Sequence, residues 1–272
     1  MKQWLKMAAL LLLAFGVHTA EGQTCSAAVS TLNFGTYTGA VLNGTATGTV
    51  TCAGAWTMAL NAGTGVGATE TIRKMTGPAG KTLNYQLFTD SARTNNWGNT
   101  TGNELTGTGN TNITVYGQVT AGQSPTPGTY TDTVASATAS FTITVVVPAS
   151  CTISATALAF GNYTALLVNA TSTISVSCTN TTPYNVGLNA GTATGATVTS
   201  RKMTGPGAAT LAYSLFSNSA QTTNWGNTVG TDTVAGTGSG AVQALKVYGQ
   251  IPAGQRPTPG NYTDTIIATL TY

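Results

Sequence analysis

The chain has 272 residues and a net charge of +3, with 6% charged residues and 41% apolar ones. So few charges leave no basic stripe for a nucleic acid, and the surface must be solvated by hydroxyls and amides. With 33 glycines, abundant threonine and few charged helix formers, the composition points to an all-β fold rather than helical layers.

In chain order, residues 1–22 come first. Lys2 and Lys6 precede an apolar run from Met7 to Val17, with small residues at Ala20 and Gly22. This is the pattern of a secretory signal peptide cleaved after one of those two. An apolar stretch that short falls below the roughly 20 residues of a membrane anchor, so the mature chain is expected outside the cytoplasm.

The remainder is written twice. Cys25 and Cys52 recur as Cys151 and Cys178; "RKMTGP" stands at 73–78 and 201–206, "NWGNT" at 96–100 and 224–228, "VYGQ" at 115–118 and 247–250, and "YTDT" at 130–133 and 262–265. A period this long makes tandem domains, not a solenoid. Residues 23–140 form the first and 151–272 the second, with 141–150 between them. Short alternating segments such as "TLNYQLF" (82–88), "ITVYGQV" (113–119) and "TLAYSLF" (210–216), separated by Gly, Asn, Pro and Thr turns, read as the strands of a β-sandwich in each domain.

Two cysteines per domain in an exported chain pair as Cys25–Cys52 and Cys151–Cys178. Each bridge contributes about 3–4 kcal/mol in the chain-entropy account. The single histidine, His18, leaves with the signal peptide. No catalytic motif, cofactor motif or metal-ligand spacing is present, so no enzyme is expected. "RKMTGP", "NWGNT" and the aspartate of "YTDT" read as fold-maintaining. Trp97 and Trp225 carry the alternative of sugar stacking, and "RKMTGP" that of a small basic patch for a surface ligand. Trp56 and Met58 have no evident counterpart in the second repeat and are candidates for a surface peculiar to the first domain.

The stretch "SFTITVVVPASC" at 140–151 occurs once. Phe141, Ile143, Val145 and Val147 share one face of an extended segment. Aligning the two "YTDT" motifs makes 262–272 equivalent to 130–140, so the second repeat stops where the first continues into this strand. Either 141–147 is a stiff linker or it is a strand that completes the first sandwich, leaving the second one short. Four buried apolar side chains would contribute roughly 6–12 kcal/mol by area before entropy.

"C-x-I-S…L-x-F-G-x-Y" (Cys151, Ile153, Ser154, Leu158, Phe160, Gly161, Tyr163), "VYGQ…PTPGNYTDT" and the closing "ATLTY" resemble the spore coat protein U domain, also the subunit fold of archaic chaperone-usher pili. The first copy keeps Leu32, Phe34, Gly35 and Tyr37 but has Ala27 in place of Ile. The resemblance implies two immunoglobulin-like pilin sandwiches, the second lacking its final strand. It also implies a periplasmic pilus chaperone, an outer-membrane usher, and a next pilin subunit that donates a strand. The role it implies is that of a tip adhesin meeting a biotic or abiotic surface, with no nucleic acid and no cofactor. On this reading the accepting end of the second domain is Ile266, Ala268, Leu270 and Tyr272. A structural coat or fibre subunit and a secreted carbohydrate-binding module are the alternatives.

Overall fold

The computed structural model describes residues 24–272; the signal-peptide assignment lies outside the described residues. The chain forms two compact units. One runs to Gln123 and resumes at Gly128–Val147, and the other comprises Ser124–Pro127 and Pro148–Tyr272. Both are built of strands, with no α-helix among the described residues.

Unit 1 contains β1 (Ser26–Val29), β2 (Leu32–Thr36), β3 (Leu42–Thr51), β4 (Ala55–Met58), β5 (Arg73–Thr76), β6 (Thr82–Phe88), β7 (Leu105–Thr108), β8 (Thr111–Val119), β9 (Gly128–Ala135) and β10 (Ser140–Val147). Eight of these form one sheet in the order β1-β3-β8-β6-β5-β9-β10-β2, and β4 pairs with β7. Period-two alternation decides which residues enter the core. On β6 Leu83, Tyr85 and Leu87 are fully buried, as are Val115 and Val119 on β8. The disulfide Cys25–Cys52 ties the start of β1 to the end of β3, which pair antiparallel.

Unit 2 contains β11 (Cys151–Ala155), β12 (Val168–Cys178), β13 (Pro183–Leu188), β14 (Arg201–Thr204), β15 (Thr210–Phe216), β16 (Val234–Thr237), β17 (Val242–Ile251) and β18 (Ala268–Thr271). The order β11-β12-β17-β15-β14 repeats β1-β3-β8-β6-β5, and β13 with β16 repeats β4 with β7. Cys151–Cys178 repeats the disulfide. Three strands of unit 1 have no counterpart, namely β9, β10 and β2, which are consecutive neighbours in the unit 1 sheet. The residues equivalent to β9 make a single bridge, Thr204 with Thr263, and those equivalent to β2 run without a ladder. The last strand, β18, instead lies antiparallel along β13, with Leu270 opposite Val186.

Candidate strand-acceptor groove

The filled version of the site is in unit 1. The chain reverses at Ser136–Ala139, where the Ser136 amide donates to the Ala139 carbonyl at 2.7 Å and the Ser136 hydroxyl accepts from the Ala139 amide at 3.1 Å. β10 then returns antiparallel along all of β9, from Ser140 opposite Ala135 to Val147 opposite Gly128. Its other edge runs parallel to β2, with Ile143 opposite Leu32 and Thr144 opposite Asn33. A bulge follows, and the Tyr37 amide donates to the Val146 carbonyl at 2.8 Å. Phe141, Ile143, Val145 and Val147 are at most 4% exposed, whereas Val146 on the other face is 46% exposed. The segment is thus a central strand of unit 1 and not a linker. Leu32, Phe34, Tyr85 and Tyr130 are buried in the same core.

The equivalent place in unit 2 is an open groove of about 400 Å³. Leu158, Phe160, Ile174, Tyr213, Tyr262 and Ile266 are among its walls. Leu158 and Phe160, the counterparts of the buried Leu32 and Phe34, are only partly covered. The floor keeps its geometry all the same: Phe160 meets Tyr213 edge-on at 5.9 Å, as Phe34 meets Tyr85 at 6.3 Å. An apolar trough flanked by backbone that lacks ladder partners is the signature of a missing strand.

A polar clasp beneath the groove holds its walls in both units. Asp132 accepts from the Tyr85 hydroxyl, the Thr64 amide and hydroxyl, and the Thr133 amide, each at 2.7 Å. Asp264 repeats this with Tyr213, Thr192 and Thr265 at 2.7–2.9 Å. The neighbouring turn passes so close that a side chain at Gly63 or Gly191, both at positive φ, would strike the carboxylate. Burial pushes the Asp264 carboxyl up, but the bonds from Thr192, Tyr213 and Thr265 outweigh it and hold the group below its ordinary value. Burial in turn pushes the Tyr213 and Tyr85 hydroxyls far up, so each stays a donor.

Arg73, fully buried, donates to the carbonyls of Asn61, Glu70, Leu60 and Trp97; Arg201 does the same to Asn189, Val198, Leu188 and Trp225. Each guanidinium gathers carbonyls from the loops around it and, for Arg201, from Leu188 at the end of β13, with burial pulling its pKa down. Trp97 and Trp225 are fully buried and donate their indole N–H to Met58 and Val186.

Two expectations need correction. Trp56 and Met58 are not a surface: they are 3% and 2% exposed, on the inward side of β4. Nor is Trp56 without a counterpart. It stands opposite Gly107 as Tyr184 stands opposite Gly236, and in both units the ring covers a glycine. A large aromatic was exchanged for another within the core. Of the residues expected at the accepting end, Ile266 and Ala268 line the groove, but Leu270 belongs to β18 and packs toward the core, and Tyr272 is 59% exposed. The opposite wall, Ala155, Leu158 and Phe160, was missed as part of the site. Its signal was available, because Leu32 and Phe34 occur in the same motif as Leu158 and Phe160.

The Spore Coat Protein U domain family model matches residues 11–136 and 137–269. The chain belongs to this family, of which it carries two tandem copies. Protein U of Myxococcus xanthus is 34% identical over 155 residues, 51% of this chain and 86% of that protein. Among solved structures, the fold is similar to that in the CsuC-CsuE chaperone-tip adhesion subunit pre-assembly complex from the archaic chaperone-usher Csu pili of Acinetobacter baumannii. That similarity has a TM-score of 0.55 at 16% identity and covers 92% of this chain and 100% of that one. The chain thus shares the all-β, pilin-type fold of that tip subunit. The family boundary and the structural boundary disagree: the second copy begins at residue 137, yet Ser140–Val147 is built into unit 1.

Proposed function

We propose that the protein is the tip adhesin subunit of an archaic chaperone-usher pilus, assembled by donor-strand complementation. The observation that carries this reading is the displaced strand. β10 belongs by family alignment to the second copy and completes the first, so the chain already contains one junction of the kind that would join it to the next subunit. Unit 2 offers the same seat empty. A periplasmic chaperone would cover the groove first, and at an outer-membrane usher the leading strand of the next pilin would replace it. The likeness to a chaperone-bound tip subunit supports this order of partners. Unit 1, with its seat already filled, is then the domain that would meet a surface, after export to the periplasm and the cell exterior.

The test uses the full chain from residue 24, purified with and without a peptide of a pilin leading strand. Two unfolding transitions are expected, and the peptide raises only the one belonging to unit 2. If unit 2 is indifferent to every such peptide, the groove is not an acceptor. Loss of surface attachment in cells lacking the chain, with pili still assembled, tests the tip role. Membership of the Spore Coat Protein U domain family favours a second reading, a coat or fibre subunit that accepts a strand in the same way without binding a surface. A carbohydrate-binding role loses its residues, since Trp56, Trp97 and Trp225 are all buried.

A further inference from the structure

The two seats differ at one end. In unit 1, Phe141 lies opposite Val134 on β9. The parallel register with β2, which sets Ile143 at Leu32, carries Phe141 back toward Ser30 and the end of β1. There Val29 pairs with Gly48, and a Cβ at Gly48 would stand 3.0 Å from the Val29 methyl and 3.1 Å from Ile113. Residue 48 adds no side chain to this end, where the Ala28 carbonyl oxygen also lies 2.7 Å from that Cβ position, and Phe141 is 4% exposed. In unit 2 the corresponding pair is Ala155 with Ile174, and Ile266 replaces Val134. All three line the groove. Together they carry three more side-chain carbons than Val29, Gly48 and Val134. The far end of the seat changes little, with Leu158, Phe160, Tyr213 and Tyr262 standing where Leu32, Phe34, Tyr85 and Tyr130 do.

We propose that unit 2 selects an incoming strand whose inward residue at the Phe141 position is no larger than valine, and that Ile174 and Ile266 thereby exclude a second copy of this chain's own β10. This rests on the strand-acceptor reading above and adds the chemistry of the partner. Interiors pack to crystal density, so an extra ring in a seat already narrowed forces side chains off their rotamers. The consequence is directional assembly: one molecule does not seal another with the strand that seals its own first unit.

The experiment measures binding to the full chain from residue 24 of two fluorescent peptides, "ASFTITVVVPA" (residues 139–149) and the same peptide with Phe141→Val. The valine peptide is expected to bind about tenfold tighter or more, the cost of overpacking outweighing the apolar area lost. An Ile266→Val chain narrows the gap, and Ile174→Gly with Ile266→Val closes or inverts it; the single variant keeps the test open if the double one does not fold. Equal binding, or tighter binding of the phenylalanine peptide, overturns the selectivity while leaving the acceptor reading in place. No binding of either peptide removes the acceptor reading and the selectivity with it.

Discussion

At the scale of single residues, the repeated charged motifs serve the interior. Arg73 makes four bonds to carbonyls, two of them in the buried interior, and Arg73→Met removes all four donors at once. Each buried acceptor left alone costs about 1–3 kcal/mol, so unit 1 is expected to lose about 3 kcal/mol or more in urea unfolding, with Arg201→Met doing the same to unit 2. Asp264 gives a pH signature. Its folded value lies below the unfolded 3.8. Its contribution is therefore complete above that value and lost as pH falls through the folded one. Asp264→Asn should weaken unit 2 at pH 7 and flatten the fall of its urea midpoint below pH 4. In the sequence these residues were legible as repeated and as fold-maintaining. What they bond was not, since carbonyls contributed by distant loops leave no pattern of their own. Trp56 has no counterpart by residue identity, because Tyr184 does the same packing with a different ring.

Among the elements, β10 is the one whose removal reorganises its neighbours. Ile143→Ala deletes fully buried carbons from unit 1 and is expected to cost about 2–5 kcal/mol. Thr142→Ala on the exposed face should stay within about 0.5 kcal/mol. Both are read from the unit 1 transition in denaturant. Reduction of Cys25–Cys52, which spans 27 residues, should lower the same transition by about 3–4 kcal/mol. Strict alternation made β10, β6 and β15 plain in the sequence, with boundaries at 82–88 and 210–216 that the fold keeps. That β9 and β2 form full ladders in unit 1 but not in unit 2 was not legible. Those segments keep the same alternation of apolar and polar residues in both copies, and what differs is whether a strand stands between them. β18 was hidden for the same reason: its equivalent in unit 1 is the Ser136–Ala139 turn.

For the whole molecule, the unequal completion of the two units predicts unequal stability. Calorimetry of the full chain should resolve a higher transition for unit 1 and a lower one for unit 2. A donor peptide at 100 times its Kd should stabilise unit 2 by about 2.7 kcal/mol and leave unit 1 where it was. The two tandem copies were legible in the sequence because its motifs recur in order, and 140–151 stood out because it occurs once among parts that occur twice. The size of the empty seat did not follow, since it depends on Ile174 and Ile266 reaching into a space that only the folded chain encloses.

The parallel pairing of β2 and β10 has a mechanical consequence. A pull applied on β2 toward its start at Leu32, and on β10 toward Val147, draws the two strands in opposite senses along their lengths. Every bond between them then carries the load together instead of parting one after another. Only Pro148–Ser150 separates β10 from β11, about 10 Å of chain at full stretch. Tension arriving from Cys151 onward thus reaches that clamp with almost no slack.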